Sequence, residues 1–280
     1  GSRVRPRVSK PAPVTRFDAA FASRAHDAGD HALPGLIPYF TAGYPALDGL
    51  GDLLRCAQDT GCLAAEVGIP FSDPLADGPT IQRTGQVALG NGMTLTIALD
   101  QVREARASGV IIPLAVMTYV NPVLNFGVEP FARACAAAGV DGVILPDLPL
   151  DEAANVREAM HAAGVAVIPL VAPTTTPERL ERICSTAAGF VYCVGVTGVT
   201  GARQNIADDA IALLDAVRRL TSTPRALGFG LSTPAHLIAL RGHAEAAVVG
   251  SALLDAIGAD LTDPVTAAAR FLSAMNGNAK

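Results

Sequence analysis

Glu66 stands inside an apolar run, Cys62-Leu63-Ala64-Ala65-Glu66-Val67-Gly68-Ile69, with small or hydrophobic neighbours on both sides. A carboxylate in that company is partly desolvated, which raises its pKa and suits it to giving and taking protons near neutrality. The competing role is a carboxylate satisfied by a backbone amide or an arginine. Asp77 follows in the stiff loop Pro70-Phe71-Ser72-Asp73-Pro74-Leu75-Ala76-Asp77-Gly78-Pro79-Thr80. There it offers an acceptor to a ligand N–H; its competing role is to cap the next helix. Asp73 reads as a residue that holds the loop or touches a partner.

Further polar groups follow apolar runs directly. Tyr119 lies in Met117-Thr118-Tyr119-Val120-Asn121-Pro122 and Asp147 in Leu145-Pro146-Asp147-Leu148-Pro149. Each can line a pocket, and Asp147 can equally organise a turn. Tyr192, inside Phe190-Val191-Tyr192-Cys193-Val194, carries a hydroxyl that wants a partner on a ring that wants to pack. Three glycine clusters come late: Gly195-Val196-Thr197-Gly198-Val199-Thr200-Gly201, Gly228-Phe229-Gly230 and Gly250-Ser251. Glycine lets backbone N–H groups approach an anion, and a helix N-terminus adds partial positive charge, so the clusters together predict a phosphate site.

Composition removes other chemistries. Lysine occurs only at Lys10 and Lys280, so nothing between forms a Schiff base, anchors pyridoxal phosphate or completes a Walker A loop. The five cysteines lack a CxxC pair and read as reduced thiols of a cytoplasmic protein. No histidine pair has ligand spacing after a strand, so no metal and no cofactor is expected. With 21 basic against 26 acidic residues, a net charge of -5 does not favour nucleic acid as a partner. Residues 107–128 carry no charge, yet Pro113, Pro122, Asn121, Asn125 and Gly127 interrupt them. They read as a buried strand followed by a loop, not a membrane span.

These groups must be positioned by a scaffold, and the 280 residues, half of them hydrophobic, supply one. Eight apolar runs lack period-two alternation, as strands buried on both faces do. They are Leu36 to Phe40, Leu63 to Val67, Ile111 to Met117, Gly142 to Leu145, Ala166 to Leu170, Phe190 to Val194, Arg225 to Leu227 and Ala246 to Val249. Amphipathic segments separate them, with start signals such as Pro177-Glu178 and Pro130 after Gly127. The pattern predicts an α/β fold, a single (β/α)8 TIM barrel with extra short helices over residues 17–280. Residues 1–16, with five basic residues and three prolines, read as a disordered tail and not as a signal peptide. An open doubly wound sheet is the rival, but Phe40-Thr41-Ala42-Gly43-Tyr44-Pro45 is no GxGxxG after the first strand.

From Leu33 to about Ile257 the chain resembles the family of tryptophan synthase α subunits. The specific match is Glu66-Val67-Gly68-Ile69-Pro70-Phe71-Ser72-Asp73-Pro74-Leu75-Ala76-Asp77-Gly78-Pro79-Thr80-Ile81-Gln82, supported by the Met117–Pro122, Pro146–Pro149, Gly198–Gly201, Gly228–Gly230 and Gly250-Ser251 segments. The resemblance implies cofactor-independent retro-aldol cleavage of indole-3-glycerol phosphate to indole and glyceraldehyde 3-phosphate. It implies that Glu66 protonates indole C3 and then takes the glycerol hydroxyl proton, while Asp77 stabilises charge at the indole N–H. Tyr39, Met117, Tyr119, Ile144 and Asp147 would line the indole end and Tyr192 would position Glu66 or substrate. Thr200, Gly201, Gly230, Gly250 and Ser251 would hold the phosphate, and a β subunit would complete an α2β2 assembly. Well-known bacterial members carry an arginine where this chain has Val196, a departure that touches loop closure and coupling to the β subunit. The alternatives are a free-standing lyase, a weakly active partner-activating subunit and a different phosphate-binding barrel enzyme.

Overall fold

Apolar runs without alternation have no face to show to water, so they must be covered on both sides. In the computed structural model, which describes residues 14–28, 32–149, 152–195, 206–228 and 230–277, they become parallel strands. These are β1 (Gly35–Thr41), β2 (Ala65–Gly68), β3 (Leu114–Met117), β4 (Gly142–Ile144), β5 (Ala166–Val167), β6 (Leu170–Val171), β7 (Val191–Val194), β8 (Arg225–Gly228) and β9 (Ala246–Val249). Their order is β5-β4-β3-β2-β1-β9-β8-β7-β6. The two outermost members are consecutive in the chain. The run expected as one strand, Ala166 to Leu170, is broken because Pro169 has no amide to donate. Ile168 N–H still donates to Val143 O at 2.9 Å on one side, and Tyr192 N–H donates to Pro169 O at 2.9 Å on the other. The split strand thereby joins both ends of the sheet and closes a barrel of eight.

Helices sheathe it: α2 (Leu50–Asp59), α3 (Pro79–Gly90), α4 (Leu95–Ala107), α6 (Val128–Ala138), α7 (Ala154–Ala162), α8 (Pro177–Cys184), α9 (Asp208–Leu220), α10 (Pro234–Ala239), α11 (Ser251–Ala259) and α12 (Pro264–Met275), with α1 (Arg16–Ala28) ahead of the first strand. Local chemistry sets their starts. Proline occupies the first turn of α3, α8, α10 and α12, where a missing amide costs nothing. The Thr94, Thr176 and Asp263 side chains cap α4, α8 and α12. Most of the expected 1–16 tail lies outside the described residues.

One expectation is corrected. The stretch after β3 is not a loop but α5 (Val120–Phe126). Asn121 and Pro122 both fall in its first turn, so the proline removes no needed hydrogen bond, and Gly127, at φ 90°, turns the chain into α6. Likewise Ile111 and Pro113 do not belong to the third strand; Ile111 is 73% exposed.

Two cores result. Leu36, Phe40, Val67, Leu114, Val191 and Leu227 point outward beneath the helices. Ile37, Ala115, Ile144, Ile168, Ala226 and Val248 fill the barrel interior, closed below by Phe17 and Phe21 of α1. Phe17 meets Phe190 edge-on, with ring centroids 5.3 Å apart. At that lower end the buried Asp141 accepts hydrogen bonds from Arg16 at 2.9 Å, Arg106 at 2.7 Å and the Leu114 amide at 2.9 Å. This network ties the plug helix and α4 to the strand floor. Among the described residues no helix is long and apolar enough to cross a membrane.

Candidate active site

Parallel strands all point their carboxyl ends to one rim, and there the loops enclose a cavity of about 640 Å³. Glu66 reaches it from within β2, where it lies in register with Tyr39 of β1 and Ala115 of β3. Its side chain is fully buried, and neither carboxylate oxygen has a hydrogen-bond partner. The role of a carboxylate satisfied by an amide or arginine is thereby removed. Burial, and secondly the charge of Asp77, push its pKa up to about 8. The group is therefore a loaded acid at neutral pH.

Asp77 arrives from the loop between β2 and α3. Gly78, which has no side chain, occupies the N-cap position of α3, with no side-chain cap hydrogen bond, so Asp77 is not the capping residue. Its buried Oδ1 has no partner. Burial raises its pKa to about 6, against the lowering effect of a hydrogen bond from Tyr119. The two carboxyls thus face one cavity with their titrations pushed apart, the arrangement that divides acid from acceptor.

Of the other residues named from sequence, Tyr39, Met117, Ile144, Asp147, Tyr192, Gly230, Gly250 and Ser251 all line the cavity. Tyr119 stands behind Asp77: its hydroxyl accepts from the Ala76 amide at 3.1 Å and its ring packs on Phe71 at 5.5 Å. It holds the loop that carries Asp77. Asp147 lies on the exposed rim and accepts the Val120 amide at 3.0 and 3.1 Å, so it also anchors the start of α5. Gly250 and Ser251 open α11. Thr200, Gly201 and Val196 lie outside the described residues.

Several features escape sequence reasoning. The far wall is lined by Thr174, Thr175 and Thr176, which follow β6, and by Arg157 and Arg179. Gly68 and Gly228 are cradles for the two inner tyrosines. A Cβ on Gly68 would fall 1.9 Å from the Tyr39 hydroxyl and one on Gly228 would fall 2.3 Å from that of Tyr192. Only a side chain of zero volume admits the rings, and nothing in the local pattern announces that.

A (β/α)8 barrel whose rim places a fully buried carboxyl and a second carboxyl in one cavity holds the groups that acid–base chemistry needs. Comparison with known proteins specifies which kind. The family model of the tryptophan synthase alpha chain matches residues 26–280, and the chain belongs to that family. It is 46% identical over 242 residues to the tryptophan synthase alpha chain of Chloroflexus aurantiacus, covering 86% of this chain and 90% of that one. The Roseiflexus castenholzii tryptophan synthase alpha chain is 44% identical over 267 residues, covering 94% and 100%. The crystal structure of the tryptophan synthase α subunit of Legionella pneumophila superposes with a TM-score of 0.85 at 31% identity, covering 95% of this chain and 98% of that one.

Proposed function

We propose that this chain performs the lyase reaction of its family, cleavage of indole-3-glycerol phosphate to indole and glyceraldehyde 3-phosphate, with Glu66 as the proton carrier and Asp77 as the charge acceptor. The observation that carries the assignment is the fully buried Glu66 carboxyl with both oxygens unbonded in the cavity. A group so placed is protonated before substrate arrives and has no other partner to release. It delivers its proton to indole C3, giving an indolium whose positive charge is shared with the ring nitrogen. Asp77, ionised above about pH 6, accepts a hydrogen bond from that N–H and stabilises the charge. The Glu66 carboxylate left behind then takes the glycerol hydroxyl proton. As that proton leaves, the oxygen lone pair forms the aldehyde and the carbon–carbon electrons return to the indole ring. Both products are neutral at the reacting carbons, and Glu66 is reloaded.

The phosphate belongs at Gly230, Gly250 and Ser251, where α11 begins, together with Thr200 and Gly201. Backbone amides and a helix N-terminus serve an anion there without a lysine. Tyr39, Met117 and Ile144 flank the indole, Tyr192 positions Glu66, and Tyr119 and Asp147 hold the loops above. We place the chain in the cytoplasm, as the α subunit of an α2β2 assembly. In support, Leu75 is 85% exposed on the loop that carries Asp77, an apolar group that a partner would cover.

Purified chain is expected to release indole from indole-3-glycerol phosphate, measured as free indole after it is extracted from the phosphorylated substrate that carries the same chromophore. A tryptophan synthase β subunit should accelerate the release. Glu66→Gln should lower it by roughly 10²- to 10⁴-fold; undiminished release would remove Glu66 from the mechanism.

A further inference from the structure

The substrate of the proposed reaction is one molecule with two ends, an indole whose N–H meets Asp77 and a phosphate that meets Gly250 and Ser251. Different elements serve them: Asp77 shortly precedes Thr80 in the first turn of α3, and Gly250 and Ser251 open α11. The two helices pack against each other, and one side chain spans them. Asp255, a turn beyond Ser251 on α11, accepts a hydrogen bond from Arg83 of α3 at 2.7 Å. It accepts a longer one from the Thr80 hydroxyl, shared between its two oxygens at 3.3 and 3.4 Å. Beside them the Gln82 side-chain amide donates to the Asp77 carbonyl at 2.8 Å, so the same turn of α3 also grips the backbone of Asp77. Arg83 lies close along α11: a Cβ on Gly258 would stand 3.8 Å from its guanidinium and 2.8 Å from the Tyr44 hydroxyl. Asp255 also supplies what α3 lacks. The N-cap of α3 is Gly78, with no side-chain cap, and its first turn holds no acidic residue, so a carboxylate held against Thr80 answers the partial positive charge of that turn.

We infer that Asp255 is a positioning residue: by tying α3 to α11 it sets the span between the carboxyl that receives the indole N–H and the amides that receive the phosphate. This rests on the reading of the site given above and adds to it a residue that does not line the cavity. A molecule that bridges two subsites gains their joint strength only when they stand at the right separation. A small error in the span therefore weakens the linked ligand and leaves each half, bound by itself, untouched. The side chains of Arg83 and Asp255 are 54% and 55% exposed, so the tie adds little to stability and its removal spares the fold. Asp255 also places a negative charge on the helix that receives an anion, and Arg83 offsets it. A purely electrostatic role would show on phosphate alone, whereas a spacing role shows only on the linked molecule.

The test is Asp255→Ala in the full chain, with three ligands titrated by NMR. They are indole, inorganic phosphate, and an uncleavable analogue in which a plain three-carbon chain joins indole to phosphate. The Kd of the analogue should rise about two- to fivefold, the scale of one exposed ion pair, and the KM for indole-3-glycerol phosphate should rise with it. The Kd values of indole alone and of phosphate alone should stay at those of the parent. Asp255→Asn keeps an oxygen that accepts from Arg83 and Thr80 and should recover most of the lost affinity. Both variants should unfold at nearly the temperature of the parent. An analogue Kd that does not move in Asp255→Ala overturns the inference. So does an equal change in the binding of phosphate alone, or an Asp255→Asn variant no better than Asp255→Ala, because either makes charge and not spacing the cause. A parent chain that fails to bind the analogue overturns the reading of the site and the tie with it. If the analogue behaves as expected but the parent releases no indole from indole-3-glycerol phosphate, the tie stands and the lyase reading falls.

Discussion

Replacing Glu66 with glutamine should make the protein more stable, and increasingly so as the pH rises. An exposed glutamate titrates near 4.5, whereas Glu66 in the folded chain titrates at about 8. Between those values the folded state holds a proton that the unfolded state has lost. The stability this carboxyl contributes is therefore fully present below pH 4.5 and is lost as the pH rises through 8. At about 1.4 kcal/mol per pH unit the loss reaches roughly 4 to 5 kcal/mol above pH 8. That is a large part of the roughly 5–15 kcal/mol that holds a domain folded. Glutamine fills nearly the same volume in the fully buried site and cannot ionise, so the variant escapes the loss. Urea unfolding of both proteins at one-unit steps from pH 5 to 9 measures the difference. It should be about 1 kcal/mol or less at pH 5 and widen with a slope approaching 1.4 kcal/mol per unit until about pH 8, at unchanged m-value. A difference that stays flat with pH, or a variant less stable than the parent at pH 8.5, would refute the account of Glu66 as a desolvated, protonated acid.

Three other outcomes are expected. The kcat/KM for indole release should rise through about pH 6 as Asp77 ionises and fall through about pH 8 as Glu66 loses its proton, and Asp77→Asn should erase the acidic limb of that pH profile. Gly68→Ala places a methyl 1.9 Å from the Tyr39 hydroxyl, which should cost roughly 1–3 kcal/mol in thermal unfolding and abolish most activity by displacing the ring beside Glu66. Asp141→Ala strands Arg106 and the Leu114 amide at the floor of the barrel. It should cost roughly 3–5 kcal/mol by denaturant unfolding while leaving both limbs of the pH profile in place.

The barrel was legible because its signal is local. Strands buried on both faces need unbroken apolar runs, and the Val67, Val116 and Val143 neighbourhoods carry them whatever lies next to them in space. Glu66 was legible for the same reason, a charge inside such a run. Signals failed where two principles competed over a few residues. Pro122 reads as a breaker, yet it sits in the first turn of α5, where the Asp147 carboxylate takes the Val120 amide. Pro169 divides a strand and still leaves its carbonyl to close the ring. Asp77 had two roles open to it until the structure put Gly78, and not Asp77, at the N-cap of α3.

By itself the sequence determined the fold class, the run that carries Glu66, the loop that carries Asp77 and the absence of a core lysine, all properties of neighbours along the chain. Only the tertiary structure decided that both Glu66 oxygens lack a partner, that Tyr119 supports the loop instead of lining the cavity, and that Gly68 and Gly228 receive the rings of Tyr39 and Tyr192. It alone brought Asp255 to Thr80 and Arg83. These are contacts between residues of different strands and helices, and their register is set by the closure of the whole barrel, which no stretch of sequence contains.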